Sequence, residues 1–314
     1  MDKKGQRDED RWYKEPEDLA SSPLIAAALI GDLETVQSLF EQGYPNKDET
    51  TNHGSTAINI AAWKGHFAVV RYLAVHGVDR DIVDKWGYSP LHVAAVGGHL
   101  DVLTYLAEQG ADKESTNSEG RTPLITAAAA SEHFDTVSYL AKQGVDVDKA
   151  DTDYQARTPL IFASHKGGLD AVRCLVEQGA DMEKADKDGW TPLHIAVDGG
   201  HLETAKLLMV YGADLNARTN GGLLPIDMGG RNTEEIRQAI RDEPRRRMDH
   251  GHKRATEQDR HPNAAASASS QQEDEDEEES NKKPRLDEGA EAEEGKVAEE
   301  DEDSEPSSDE EDGN

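Results

Sequence analysis

Cysteine is all but missing. Cys174 is the single one in 314 residues, so no disulfide can form within the chain. It lies beside an apolar stripe, which suits a small packed residue better than a reactive thiol, and a reducing compartment is expected. Long apolar runs are missing too. The longest, Leu24–Ile30, falls far short of the roughly 20 residues a membrane span needs, and the charged start Met1-Asp2-Lys3-Lys4-Gly5 holds no hydrophobic signal segment. A soluble intracellular chain with no membrane partner is expected. Positive charge is scarce: 34 Lys and Arg against 65 Asp and Glu leave a formal net charge of −31. Phosphate binding needs cations, so no direct nucleic-acid partner is expected. Catalytic signatures are missing as well: no Gly-rich loop ending in Lys-Ser or Lys-Thr, no His-Glu-x-x-His, no Cys-x-x-Cys. His250-Gly251-His252 lacks a third metal ligand nearby, and the carboxylates read as solvated. No catalytic residue, cofactor or metal is expected, and the chain reads as a non-enzyme.

What is present is repetition. The phrases Gly54-Ser55-Thr56-Ala57-Ile58, Trp86-Gly87-Tyr88-Ser89-Pro90-Leu91-His92 and Gly120-Arg121-Thr122-Pro123-Leu124 are versions of one another. Ala156-Arg157-Thr158-Pro159-Leu160, Gly189-Trp190-Thr191-Pro192-Leu193-His194 and the worn Gly222-Leu223-Leu224-Pro225-Ile226 continue the series. The hydroxyl steps 56, 89, 122, 158, 191, a period of 33 with one interval of 36. One extra residue near Ser131 and two more in Asp151–Arg157 account for the long interval. The second insertion reads as a longer finger, Asp153-Tyr154-Gln155.

Each recurring residue has a local purpose. Ser89 or Thr122 is a helix N-cap, followed by proline at the first helical position, where a missing N–H costs nothing. Small residues such as Ala94 and Ala95 let a neighbouring helix approach, and Gly97-Gly98 or Gly65 ends the first helix. His92 and His194 are read as bonding loop backbone, and His66, His99 and His201 as belonging to the Gly-His turn between helices. A second helix follows with apolar residues at i, i+3, i+6 and i+7, as in Leu100, Leu103, Leu106 and Ala107. Gly43, Gly77, Gly110, Gly144, Gly179 and Gly212 close these helices.

This signature resembles the ankyrin repeat, over roughly residues 20–243. The resemblance implies an all-α solenoid of helix-turn-helix units joined by hairpin loops. About five full repeats stand between degenerate caps, at Ser22-Pro23-Leu24 and at the charged Leu224–Arg241. It also implies a non-catalytic protein-binding module with a concave face.

The expected organisation is a charged segment at 1–18, the repeats at 19–247 and a disordered acidic tail at 248–314. The tail holds 25 acidic and 7 basic residues, −18 of the net charge, and lacks apolar periodicity. Its basic island at 281–286 contains Lys282-Lys283-Pro284-Arg285, which resembles a short nuclear import signal. A nuclear and/or cytoplasmic location follows. Ser307 and Ser308, before Asp309-Glu310-Glu311-Asp312, and more weakly Ser270, are phosphorylation candidates resembling acidophilic kinase sites.

The resemblance further implies that residues before the Thr-Pro, and at the end of the first helix, project toward the concave face. Trp63, Trp86, Tyr88, Arg121, Tyr154, Arg157, His165 and Trp190 stand there and are the candidate partner-binding residues, of types enriched in binding hot spots. The competing reading is that the rings lie on neighbouring hairpins and stiffen the stack. The partner is expected to be a protein, gripped by a monomeric scaffold or adaptor. Two other readings stay open. The acidic tail could make the chain a chaperone for histones or other basic proteins, or the repeats could recruit substrates to an enzyme complex.

Overall fold

The computed structural model describes residues 22–44, 46–130, 133–152, 155–229 and 234–242. All of them fall within Met1–Thr256, the first of the two units into which the chain divides. Tyr154, Ser270, Lys282, Lys283, Pro284, Arg285, Ser307 and Ser308 lie outside the described residues, as do the 1–18 and 248–314 segments.

Twelve α-helices follow in pairs among the described residues. They are α1 (Pro23–Ile30) with α2 (Leu33–Glu41), α3 (Ala57–Lys64) with α4 (Phe67–Val75), and α5 (Pro90–Gly97) with α6 (Leu100–Glu108). Then come α7 (Pro123–Ala129) with α8 (Phe134–Ala141), α9 (Pro159–Lys166) with α10 (Leu169–Glu177), and α11 (Pro192–Asp198) with α12 (Leu202–Tyr211). A 3-10 turn, Pro225–Asp227, and helical residues at 234–242 end the series. The isolated bridge Thr50–Thr56 is the β-pairing seen among the described residues.

The caps explain where the first helices begin. The side chains of Ser22, Ser89, Thr122 and Thr158 accept from the N–H of Ile25, His92, Ile125 and Ile161, satisfying one orphan donor each. Thr56 precedes Ala57 instead of proline and does not cap; its hydroxyl donates to Asn59 Oδ1 at 2.5 Å. The second helices end at Gly43, Gly77, Gly110, Gly144, Gly179 and Gly212, all with positive φ, as their spacing predicts.

Odd-numbered helices pack on odd-numbered neighbours and even on even, so the domain is two helical layers with the core between them. The inner layer contributes buried alanines, among them Ala61, Ala62, Ala94, Ala95, Ala127 and Ala128. The outer layer contributes Val70, Leu73, Leu103, Leu106, Leu140, Leu175 and Leu208, each fully buried leucine worth about 1.5–3 kcal/mol. Small residues on one layer and large ones on the other let the layers interdigitate. At the C-terminal end Ile236, Ala239 and Ile240 are buried. The outward Glu234 pairs with Arg237 and Arg241, which keeps the cap's outer face polar, as solubility requires.

Two hydrogen-bond ladders run across the repeats. In the fingers the backbone N–H of Lys85 donates to His53 C=O, Ser118 to Trp86, Thr152 to Glu119, Lys187 to Gln155 and Asn220 to Asp188, all between 2.9 and 3.0 Å. In the inter-repeat turns a carboxylate of one repeat accepts from the next. Asp81 takes the Asp112 N–H, Glu114 that of Asp146, Asp148 that of Asp181 and Glu183 that of Asp214. Four of the acidic side chains of this domain therefore pair with backbone donors of the next repeat.

Candidate partner-binding face

The geometry of each finger is set by one side chain at its base. Asp84 Oδ1 accepts from the N–H of Trp86 and Tyr88, Asn117 Oδ1 from Glu119 and Arg121, and Asp186 Oδ1 from Asp188 and Trp190. These are Asx turns, which hold the following residues in a fixed loop. The residue just before each helix cap is therefore rigidly placed, and Tyr88, Arg121, Arg157 and Trp190 all occupy that place.

Their side chains do not share one fate. Tyr88 is 4% exposed and belongs to the core; its ring meets His92 edge-on at 5.8 Å. The expectation that it faces solvent is overturned, because the ring is packed into the core. Arg121 is also largely covered, its side chain 14% exposed. It pairs with Glu119 at 3.0 Å, reaches Asp151 of the next finger at 3.7 Å and lies over the Phe162 ring at 5.0 Å. Arg157, 29% exposed, reaches Asp186 at 3.9 Å. Both arginines thus link one repeat to the turn acid of the next.

Those turn acids went unnoticed in the sequence, where the carboxylates read as solvated. The side chains of Asp151 and Asp186 are 1% and 3% exposed. Burial is the largest influence on Asp186 and pushes its carboxyl up, against the opposing pull of its backbone donors and Arg157. A signal for the pairing did exist. Arg121 and Arg157 precede turns based on aspartate, whereas Tyr88 and Trp190 precede turns based on the neutral Asn117 and Thr219.

The tryptophans and His165 remain partly or fully accessible. Trp86 is half-buried, and its ring stacks on His53 of the preceding finger at 5.2 Å and 28°. Trp190 is half-buried against the core. Trp63 is half-buried at the end of α3, with Lys64 Nζ 4.1 Å from its ring centroid, a cation–π contact absent from the sequence reading. His165 holds the same place at the end of α9 and is exposed. Partial burial lowers its pKa, and Arg157, Lys166 and His201 lower it further. Trp63, Trp86, Trp190 and His165, with the partly exposed Arg157, are thus the candidates with surface to offer.

The histidines of the repeated phrase are structural. The Ser89 N–H points at His92 Nδ1 at 3.3 Å, and a backbone N–H can only donate. His92 therefore carries its proton on Nε2, which donates to Arg121 C=O at 2.9 Å. Both ring nitrogens are committed and the ring is buried, so desolvation lowers its pKa to about 4. His194 repeats the arrangement with Thr191 and Leu223, and burial lowers its pKa too. In α3 Asn59 Nδ2 donates to Tyr88 C=O at 3.1 Å, the same link with a different donor. Among the described residues no group of His, Cys, Asp and Glu could hold a metal ion. No helix among them is long and apolar enough to cross a membrane.

The family of ankyrin repeats (3 copies) matches residues 9–84, 69–151 and 143–219, more than half of the chain. The chain is an ankyrin-repeat protein. The human ASB11 ankyrin repeat domain superimposes with a TM-score of 0.64 at 27% identity, covering 71% of this chain and 97% of that one. The ankyrin repeat domain of Bcl-3, described as a unique member of the IkappaB family, gives 0.60 at 29% identity, covering 71% and 99%. A probable 26S proteasome regulatory subunit, p28 of Saccharomyces cerevisiae, is 33% identical over 72 residues. That stretch is 23% of this chain and spans only 32% of the relative. Seventy-two residues are about two repeats, so this likeness is of the size that shared repeat architecture alone produces.

Proposed function

We propose that this ankyrin-repeat protein is a non-enzymatic scaffold or adaptor. It grips a protein partner on the face formed by its fingers and the ends of its inner helices. The observation that carries the reading is the retention of accessible surface on Trp63, Trp86, Trp190 and His165, while Tyr88 and Arg121 are drawn into the stack. Accessible tryptophans on a rigid frame bind with little ordering cost. The hydrogen-bonded fingers supply that rigidity.

The acidic tail supports a second reading, capture of histones or other basic proteins, from its charge alone. Location in the nucleus belongs to the same proposal and rests on Lys282, Lys283, Pro284 and Arg285.

The deciding experiment compares the full chain with its Trp86→Ala, Trp190→Ala double variant as baits in cell extract, at low and high salt. A discrete partner kept at high salt and lost by the double variant supports the finger face. Basic proteins held only at low salt, and equally by both baits, would move the function to the tail. Melting of the two baits is compared first, since half-buried rings contribute to stability as well.

A further inference from the structure

Five turns between paired helices follow the first one, and four of them place an imidazole at the start of the second helix: His66, His99, His133 and His201. Each ring packs under the left-handed glycine or adjoining turn of the preceding repeat, at Gly31, Gly65, Gly98 and Gly167. Where the partner is resolved it is a carbonyl eight positions into the preceding phrase. His66 Nε2 lies 3.0 Å from Leu29 C=O, His99 Nε2 2.8 Å from Trp63 C=O and His201 Nε2 2.9 Å from His165 C=O. A carbonyl only accepts, so Nε2 donates in all three. These rings form a stair that stitches neighbouring repeats.

The fifth turn breaks the stair. Its residue is Gly168, yet its backbone keeps the shape of the others: φ −70° and ψ 85°, against −83° and 81° at His99. A Cβ placed on Gly168 would meet only Ala171 Cβ at 3.6 Å and Ala163 C=O at 3.7 Å, ordinary contacts. A cavity of about 200 Å³ opens there, lined by Ala128, His133, Phe134, Val137, Leu169 and Asp170 among others. Phe134 is itself exposed. Ala129 stands where Leu29, Trp63 and His165 stand in the other junctions.

We propose that the niche at Gly168 is a side-chain-binding site that takes a histidine ring from a partner protein. The chain itself points to the occupant, since the equivalent position carries an imidazole at the other four junctions, although there the ring lies against a left-handed glycine and here the preceding inner helix ends at the right-handed Ala130. The cavity is smaller than the roughly 300–1,000 Å³ of small-molecule and cofactor sites, so it suits one ring and not a metabolite. Its walls combine apolar groups, among them Phe134 and Val137, with the polar His133 and Asp170, which suits a flat ring that also carries hydrogen-bonding nitrogens. Eight residues of inner helix, about 12 Å at 1.5 Å per residue, separate it from the fingers. The site is therefore distinct from the finger face, and either proposal can fail without the other.

The test uses the ¹⁵N-labelled full chain titrated with 4-methylimidazole, at a pH where the probe is neutral. Saturable shifts are expected at the amides of Ala128, Phe134, Ala163 and Leu169, and none at the corresponding amides around His99. Gly168→Ala keeps these shifts. Gly168→His, which supplies the ring in cis, abolishes them. Absence of saturable shifts, or their persistence in a folded Gly168→His, would overturn the proposal. Equal binding of toluene would overturn the assignment to histidine, because the site would then read only a flat shape.

Discussion

At the scale of single residues the chain carries its own controls, because each position recurs in a neighbouring repeat. Ala156 is the one non-glycine residue with positive φ among the described residues, at 51°, and it stands where other fingers hold Gly54, Gly87, Gly120 and Gly189. A left-handed alanine costs roughly 1 kcal/mol, partly offset by the larger unfolded-state entropy of glycine. Ala156→Gly is therefore expected to raise stability by a few tenths to about 1 kcal/mol, read as a shift in the urea midpoint. His92 offers a second test. Its pKa is depressed in the fold to about 4, while the unfolded chain titrates near 6.5. Between those values the unfolded state holds the extra proton, so stability falls as pH drops through this window, by roughly 3 kcal/mol if the site acts alone. Ile125 and Ile161 occupy the same place in the next two repeats. His92→Ile should thus remain folded at pH 7 and lose this part of the acid sensitivity, measured by urea melts at pH 7 and 5. The buried imidazole role was legible in the sequence from the repeated Thr-Pro-Leu-His phrase. The inward turn of Tyr88 was not, because Tyr88 and Trp190 hold equivalent places and only three-dimensional packing tells the buried ring from the half-buried one.

At the scale of the element, the finger is a backbone device before it is a recognition device. Its base residue must accept two N–H groups, and Asp84, Asn117 and Asp186 all do so through Oδ1. The charge on Asp186 is secondary, since Asn117 serves without one. Asp186→Asn is expected to cost under about 1 kcal/mol at pH 7. Asp186→Ala, which orphans the Asp188 and Trp190 donors, should cost about 2–3 kcal/mol. The pH dependence has a definite sign. The Asp186 carboxyl is raised in the fold by burial, so its charge weakens the native state at neutral pH, and acidification through the raised pKa relieves that cost. Asp186→Asn removes the relief, which urea melts at pH 7 and 4.5 compare directly. Helix positions, caps and closing glycines could be read from the 33-residue period because they are local. The cross-repeat links between Arg121 and Asp151, and between Arg157 and Asp186, left only a faint trace in it, an arginine before a turn based on aspartate, which went unread. They join residues about one repeat apart, and the arginines alone looked like free anchors for a partner.

At the scale of the whole molecule, a repeat array is nearly one-dimensional, so its stability is a sum of unit terms and junction terms. The junction between the fourth and fifth repeats is the atypical one. It lacks the histidine step at Gly168, carries the extra residue near Ser131, borders the niche between α7–α8 and α9–α10, and lies next to the finger that holds Ala156. If the rings at the turns set the coupling, this boundary is where the stack parts first, even though its helices pack as closely there as at the other junctions. Hydrogen exchange in rising urea should then report two cooperative blocks, with amides of α3–α6 and amides of α9–α12 losing protection at different concentrations. Gly168→His is expected to merge the two transitions and raise the lower one, because it restores the ring between the blocks. His99→Gly should do the reverse, creating a second break between α3–α4 and α5–α6 at a cost of roughly 1–3 kcal/mol, the loss of a half-buried ring and its hydrogen bond. A single transition in the native chain that Gly168→His leaves unmoved would mean that the other ladders, fingers and turn carboxylates, already couple this junction as tightly as the rest. The finger ladder does cross it, through the Thr152 N–H to Glu119 C=O, and the turn ladder does so through the Asp181 N–H to Asp148. The outcome therefore measures how much of the rigidity that a binding face needs comes from packed rings at the turns, and how much from backbone hydrogen bonds in the fingers.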